Sequence, residues 1–135
     1  MTRKTVTVGV VGSRKRISVD DVDILFDAVD NVIETAKKRN VRVRFVSGGC
    51  KTGADAMIKS FAEDLGWDFY EHLPDESQLP ENPSKNDWTE IFYARNIKIV
   101  NDSDFLIAMA SKDRKGGTEH TIKQAKKKGI TVIIV

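Results

Sequence analysis

The chain is poor in cysteine and proline, nearly neutral in charge, and without a long apolar run. Each shortage removes a class of protein. Cys50 is the only cysteine among 135 residues. It has no partner for an internal disulfide, and a lone thiol suits a reducing compartment, so a cytoplasmic location is expected. The 22 basic and 20 acidic side chains leave a formal charge of +2. That is too little for bulk electrostatics to drive nucleic-acid binding, which is expected to be weak or absent. No apolar stretch approaches the ~20 residues of a membrane span, so no membrane partner is expected. Met1 to Lys4 are polar and basic and run straight into a strand pattern, unlike a signal peptide. The two histidines, His72 and His120, lie at no metal-ligand spacing. No metal and no other cofactor is evident.

What the chain does have is regular alternation. Its length and ordinary composition, 40% apolar and 31% charged, fit one soluble globular domain spanning 1–135. Thr5 to Val11 is β-branched, apolar and uncharged, the signature of a strand covered on both faces. Ser18 with Asp21 reads as a capping pair, and Val22, Phe26, Val29, Ile33 and Ala36 mark a helix face ending near Asn40. Val41 to Ser47 reads as a second strand. A second helix begins near Ala54, with Ile58, Phe61, Ala62 and Leu65 inward and Gly66 at its end. Trp67 to Leu73 forms a more polar strand suited to an edge. Pro74, Pro80 and Pro83 punctuate the one long loop. A third helix is expected over Asp87 to Val100, a strand over Asp104 to Ala110, a helix over Thr118 to Lys128 and a last strand over Ile130 to Val135. Five strands alternating with four helices predict a doubly wound, Rossmann-like α/β fold with a parallel five-stranded sheet in the order 3-2-1-4-5.

Three glycine-bearing stretches each close an apolar run and open a helical segment: Gly12-Ser13-Arg14, Gly48 to Asp55, and Gly116-Gly117-Thr118. A glycine turn at a helix start leaves backbone N–H groups at the positive end of the helix dipole, where an anion sits well. In the predicted order, strands 1 and 4 are neighbours whose following loops diverge. Ligands bind in the crevice at such a switch point. Topology and chemistry therefore converge on one phosphate-binding cleft. Two standard phosphate motifs are missing. Ser47 to Asp55 looks like a P-loop, but Cys50 precedes Lys51-Thr52 where that motif needs glycine, and the first turn lacks G-x-G-x-x-G. A P-loop NTPase and a standard dehydrogenase are both excluded.

The ordered set Val11-Gly12-Ser13-Arg14, Val46-Ser47-Gly48-Gly49 with Gly53-Ala54-Asp55, Tyr93-Ala94-Arg95-Asn96, Ser103 to Ala108 and Gly117-Thr118 resembles the SLOG superfamily. That group holds the Rossmann-like domain of DNA-processing protein A, the LOG-type phosphoribohydrolases and small stand-alone proteins of the YspA type. The resemblance runs from Val6 to Val135. It implies a nucleotide-like small-molecule partner, a homo-oligomer (a dimer most often), and ligand-binding roles for Gly12, Ser13, Arg14, Ser47, Gly48, Gly49, Gly53, Asp55, Arg95, Asn96, Gly116, Gly117 and Thr118.

Several roles stay open on the residues themselves. Arg14, following Gly-Ser at a strand end, is shaped to fork onto a phosphate. Asp55 either complements its helix dipole, orients the loop or meets a ribose. Trp88 and Tyr93 serve either core packing or base stacking, and Lys126-Lys127-Lys128 reads as a solvated helix end. Three functions compete. The first is binding or sensing of a nucleotide-derived phosphate. The second is N-glycosidic hydrolysis of a nucleoside monophosphate, with Arg95, Glu119 and Asp55 as the candidate catalytic residues. The third is single-strand DNA binding. The LOG pattern P-G-G-x-G-T-x-x-E, laid on Gly117-Thr118, puts Thr121 where the family has glutamate, and Glu119 lies ~200° around the helix from it. The hydrolase reading therefore lacks its carboxylate.

Overall fold

A computed structural model describes residues 3–135. The reading of Met1 and Thr2 as part of a polar lead-in lies outside the described residues. Five strands, β1 (Thr5–Gly12), β2 (Arg42–Ser47), β3 (Asp68–Glu71), β4 (Phe105–Met109) and β5 (Thr131–Ile134), alternate with four helices. These are α1 (Val19–Lys38), α2 (Ala54–Leu65), α3 (Lys85–Asp102) and α4 (Gly117–Lys128). All strand pairs are parallel, in the order β3-β2-β1-β4-β5. This is the predicted doubly wound sheet, with β1 and β4 meeting at the switch point.

The sheet has an apolar layer on each face. Val8, Val10, Phe45, Ile107 and Met109 point to the side covered by α1 and α2, where they meet Leu25, Val29 and Ile58. Val11, Val46, Leu106 and Ala108 point to α3 and α4 and meet Ile99, Val100, Ile122 and Ala125. Burying each of these larger side chains is worth about 1.5–3 kcal/mol relative to exposure. The central strands are covered on both faces, which is why they read as continuous apolar runs. Edge strand β3 keeps Asp68 and Tyr70 exposed, as its polarity suggests.

Local chemistry moves some boundaries. The Ser18 hydroxyl accepts from the Asp21 N–H while the Asp21 carboxylate accepts from the Ser18 N–H, closing the anticipated capping box of α1. The same device starts α3 at Lys85 rather than Asp87. Ser84 is the cap and Asp87 its third-position partner, so the aspartate lies one turn inside the helix. On α1, Leu25 is fully buried although the expected inward set omitted it. On α2, Leu65 is 52% exposed, in the last turn before the left-handed Gly66, and does not face inward. Lys128 is more than a solvated helix end. Its ammonium donates to the Val100 and Asn101 carbonyls at the end of α3.

Candidate functional site

The loops after β1, β2 and β4 meet α3 around a cleft of about 440 Å3 at the carboxyl edge of the sheet. Its floor is set by two close backbone approaches. A Cβ on Gly12 would lie 2.6 Å from that of Ala54, and a Cβ on Gly53 would lie 2.6 Å from the Ser13 carbonyl oxygen. The first loop and the start of α2 are thus packed against each other with no room for side chains. The Ser13 N–H donates to the Met109 carbonyl at 2.9 Å, tying the loop to β4.

Asp55 meets the second loop. It is buried, and its carboxylate accepts from the Cys50 N–H at 3.0 Å, so it holds the Gly48-Gly49-Cys50 turn in place. Burial raises its pKa, while the Cys50 N–H and the positive charge of Arg95 pull the other way. Ser47 is fully buried and donates to the Val10 carbonyl at 2.7 Å, which makes it a brace between β2 and β1.

Arg95 and Asn96 act as one unit. The Arg95 Nη1 donates to the Gly48 carbonyl at 2.6 Å, and its Nε donates to Asn96 Oδ1 at 2.9 Å. The buried Asn96 amide in turn donates to the Gly117 carbonyl at 3.3 Å and contacts His120 Nδ1 at 3.4 Å. Thr121, 1% exposed, also donates to the Gly117 carbonyl, at 3.1 Å. The pair therefore sets the spacing between the second loop and the first turn of α4. Burial lowers the Arg95 pKa and Asp55 opposes the shift, and an arginine remains charged in either case.

Arg14 is different. It is exposed, its guanidinium lies 5.8 Å from the Phe92 ring centroid, and among the described residues it forms no ion pair. Lys15 and Lys115 line the same cleft and likewise form no ion pair there. Among the described residues the only carboxylate lining it is Asp55, which the second loop already uses. Arg14, Lys15, Arg95 and Lys115 thus bring four cationic side chains to the cleft wall, beside the glycine-bearing start of α4.

Glu119 lies outside the lining. Its carboxylate takes two hydrogen bonds from Arg114, at 2.7 and 3.0 Å, which hold its pKa below the usual range. Thr121 faces the cleft and Glu119 does not, the register expected from the helix repeat. His72 is remote too, paired with Asp102 at 2.8 Å beside Arg44. Trp88 packs on Phe92 rather than lining the cleft, whereas Tyr93 lines it and stacks flat on His120 at 3.7 Å. Sequence reasoning did not single out Lys15, Lys115 or the Phe92 platform. The basic neighbours of Ser-Arg and of Gly-Gly were the available signal.

No protein-family model and no curated protein matches the sequence. Solved structures do match. DNA processing protein A (DprA) of Streptococcus pneumoniae aligns with 96% of this chain at 20% identity and a TM-score of 0.69. This chain spans 50% of that protein's chain, half its length. The molybdenum cofactor binding protein of the phototrophic bacterium Rippkaea orientalis aligns with 99% of this chain and 77% of its own, at 21% identity and a TM-score of 0.65. The structural-genomics protein TM1055 aligns with 94% and 72%, at 20% identity and a TM-score of 0.62. These likenesses, at 20–21% identity, show a Rossmann-like fold.

Proposed function

We propose that the protein binds a nucleotide or nucleotide-derived phosphorylated ligand in this cleft, with the phosphate held by the loops after β1 and β4. One observation carries the reading. Gly116 is glycine because its φ is +97°, but Gly117 has no positive φ, and a Cβ there would meet nothing within 4 Å. Neither backbone strain nor packing explains Gly117, which opens α4 on the cleft wall. Close approach of a ligand to its backbone does explain it, as at other phosphate-binding helix starts. Gly12, Ser13, Arg14, Gly116 and Thr118 complete that wall, and Gly48, Gly49, Gly53, Asp55, Arg95 and Asn96 hold it in shape.

Binding or sensing is preferred over N-glycosidic hydrolysis because Glu119 is turned away and Asp55 is committed to its loop. A carboxylate free to stabilise an oxocarbenium-like ribose is the missing part. The likeness to a DNA processing protein supports the single-strand DNA reading only through the fold. The free cations here line a cleft rather than a backbone-tracking groove. A cytoplasmic location fits the lone cysteine. Among the described residues no helix is long and apolar enough to cross a membrane. Self-association belongs to the same reading, through α2 or through α3, which carries the exposed Ile97. Mass spectrometry of small molecules released from the purified protein, with thermal-shift screening against nucleotides and sugar phosphates, tests the proposal. A phosphorylated compound that raises the melting midpoint supports it, and no shift across the panel contradicts it.

A further inference from the structure

His120 is the fourth residue of α4 and stands outside the lining of the cleft. Its ring lies flat on that of Tyr93 in α3, with centroids 3.7 Å and planes 5° apart, and its Nδ1 is 3.4 Å from Asn96 Nδ2. The chemistry of the partners fixes which atom holds the proton. Arg95 Nε can only donate, so it faces Asn96 Oδ1, at 2.9 Å. The Gly117 carbonyl can only accept, so it faces Asn96 Nδ2, at 3.3 Å. The amide therefore cannot be reversed, and its second hydrogen points to His120. An unprotonated Nδ1 receives it, which puts the ring proton on Nε2.

Arg95 carries the chain onward. Its Nη1 donates to the Gly48 carbonyl, and its guanidinium lies 5.6 Å from the centroid of the Phe92 ring, which Arg14 also approaches. A line of hydrogen bonds thus runs from His120 through Asn96 and Arg95 to the second loop, with Gly117 attached at its middle. A proton on Nδ1 breaks the line at its end. Donor then faces donor beside an amide that is only 5% exposed, and either the ring leaves Tyr93 or Asn96 leaves Gly117.

The surroundings hold that proton off. Burial lowers the His120 pKa, and Lys123, one turn along α4, adds to the shift. From α3 the ring meets Tyr93 and Asn96, and the loop before α4 carries Arg114 and Lys115. The neighbouring Glu119 is engaged with Arg114, and among the described residues no carboxylate pairs with the ring.

We propose that His120 is a positioning residue for the start of α4. Its neutral Nε2–H form holds Gly117 in register with the second loop through Asn96 and Arg95, and protonation releases that register. The consequence for ligand affinity rests on the nucleotide reading above; the linkage within the ligand-free protein does not.

Two substitutions separate the acceptor from the stack. His120→Asn sets an amide oxygen in place of Nδ1 and does not titrate, whereas His120→Phe keeps a flat ring and has no acceptor. Imidazole and guanidinium 15N spectra of the ligand-free protein are followed from pH 7.5 to 5.0, with ADP calorimetry at both ends. Expected is the Nε2–H tautomer at pH 7.5, titrating below the usual 6.5. The Arg95 Nε–H signal, which reaches His120 through Asn96, should move on the same curve and stand still in His120→Asn. At pH 7.5 wild type and His120→Asn should bind ADP alike, and His120→Phe about fivefold more weakly. At pH 5.0 His120→Asn should bind about threefold tighter than wild type, whose competent fraction has fallen. Comparing two proteins at one pH cancels the titration of the nucleotide's own phosphate. An Nδ1–H tautomer, or an Arg95 signal indifferent to the titration of His120, would overturn the proposal. So would His120→Phe binding ADP as wild type does, or equal affinities of wild type and His120→Asn at pH 5.0. The expected spectra with no ADP binding in any of the three proteins would support the positioning role and count against the nucleotide reading alone.

Discussion

Replacing Gly117 by alanine should push stability and binding in opposite directions. The residue is the first of α4, has no positive φ, and offers open space to a methyl group. Alanine is therefore accommodated without strain. It lowers the conformational entropy of the unfolded chain and has the better helix propensity, together worth about 0.4–1 kcal/mol of added stability. In a domain of this size that raises the melting midpoint by about 1–4 °C. The same methyl group stands where the ligand approaches the first turn of α4. A displaced phosphate loses a charge-assisted bond to a backbone N–H, about 1.5–3 kcal/mol, or more than tenfold in affinity. Gly116→Ala is the control. At φ +97° it forces an unfavourable backbone, about 1–2 kcal/mol, and should lower the midpoint. Thermal melts without ligand and calorimetry with a nucleotide that stabilises wild type measure both effects. If Gly117→Ala destabilises the apo protein, the glycine serves the fold. If it binds the nucleotide as wild type does, the ligand does not approach α4.

Four further outcomes follow from the same geometry. Arg14→Ala should weaken nucleotide binding by about 1.5–3 kcal/mol with little change in melting midpoint, since its guanidinium is exposed and forms no ion pair among the described residues; calorimetry and a melt read the two together. Because burial raises the pKa of Asp55, the folded state holds that proton more tightly than the unfolded chain. Its contribution to stability therefore falls as pH rises above 3.8 through the raised value, opposite in sign to the lowered Asp21, Asp102 and Glu119, and urea titrations from pH 4 to 7 should show a shallower fall in Asp55→Asn. Glu119→Gln should leave ligand affinity unchanged, and wild type should release no free base from nucleoside monophosphates in a chromatographic assay; turnover abolished by the substitution would restore the hydrolase reading. Single-stranded DNA should bind weakly, as fluorescence anisotropy can measure; tight binding with a steep salt dependence would instead favour the DNA reading.

The sheet order was legible because the central strands are buried on both faces and interrupted by glycine turns, so periodicity and topology rules converge. Boundaries set by side-chain caps were less so. Ser84 and Asp87 form the same box as Ser18 and Asp21, but follow a proline-rich loop that masks the helix start. Within the cleft, the glycines and Arg14 announced themselves by position at strand ends. The division of labour among the polar groups did not. That Asp55 serves the loop, that Asn96 links Arg95 to Gly117, and that Phe92 gathers two arginines all depend on contacts between elements far apart in sequence. Glycine itself gives no hint in sequence of whether a fold or a ligand requires it; only the space around Gly117 distinguishes the two.

Titration of 15N-labelled protein with ADP, followed by amide resonances, tests the central claim most directly. The account predicts that the amides of Ser13, Arg14, Gly117 and Thr118 shift together and saturate with one dissociation constant, while those around Arg44, His72 and Asp102 stay in place. Shifts scattered over the α3 and α4 surfaces, or none at the starts of the two loops at millimolar nucleotide, would contradict it.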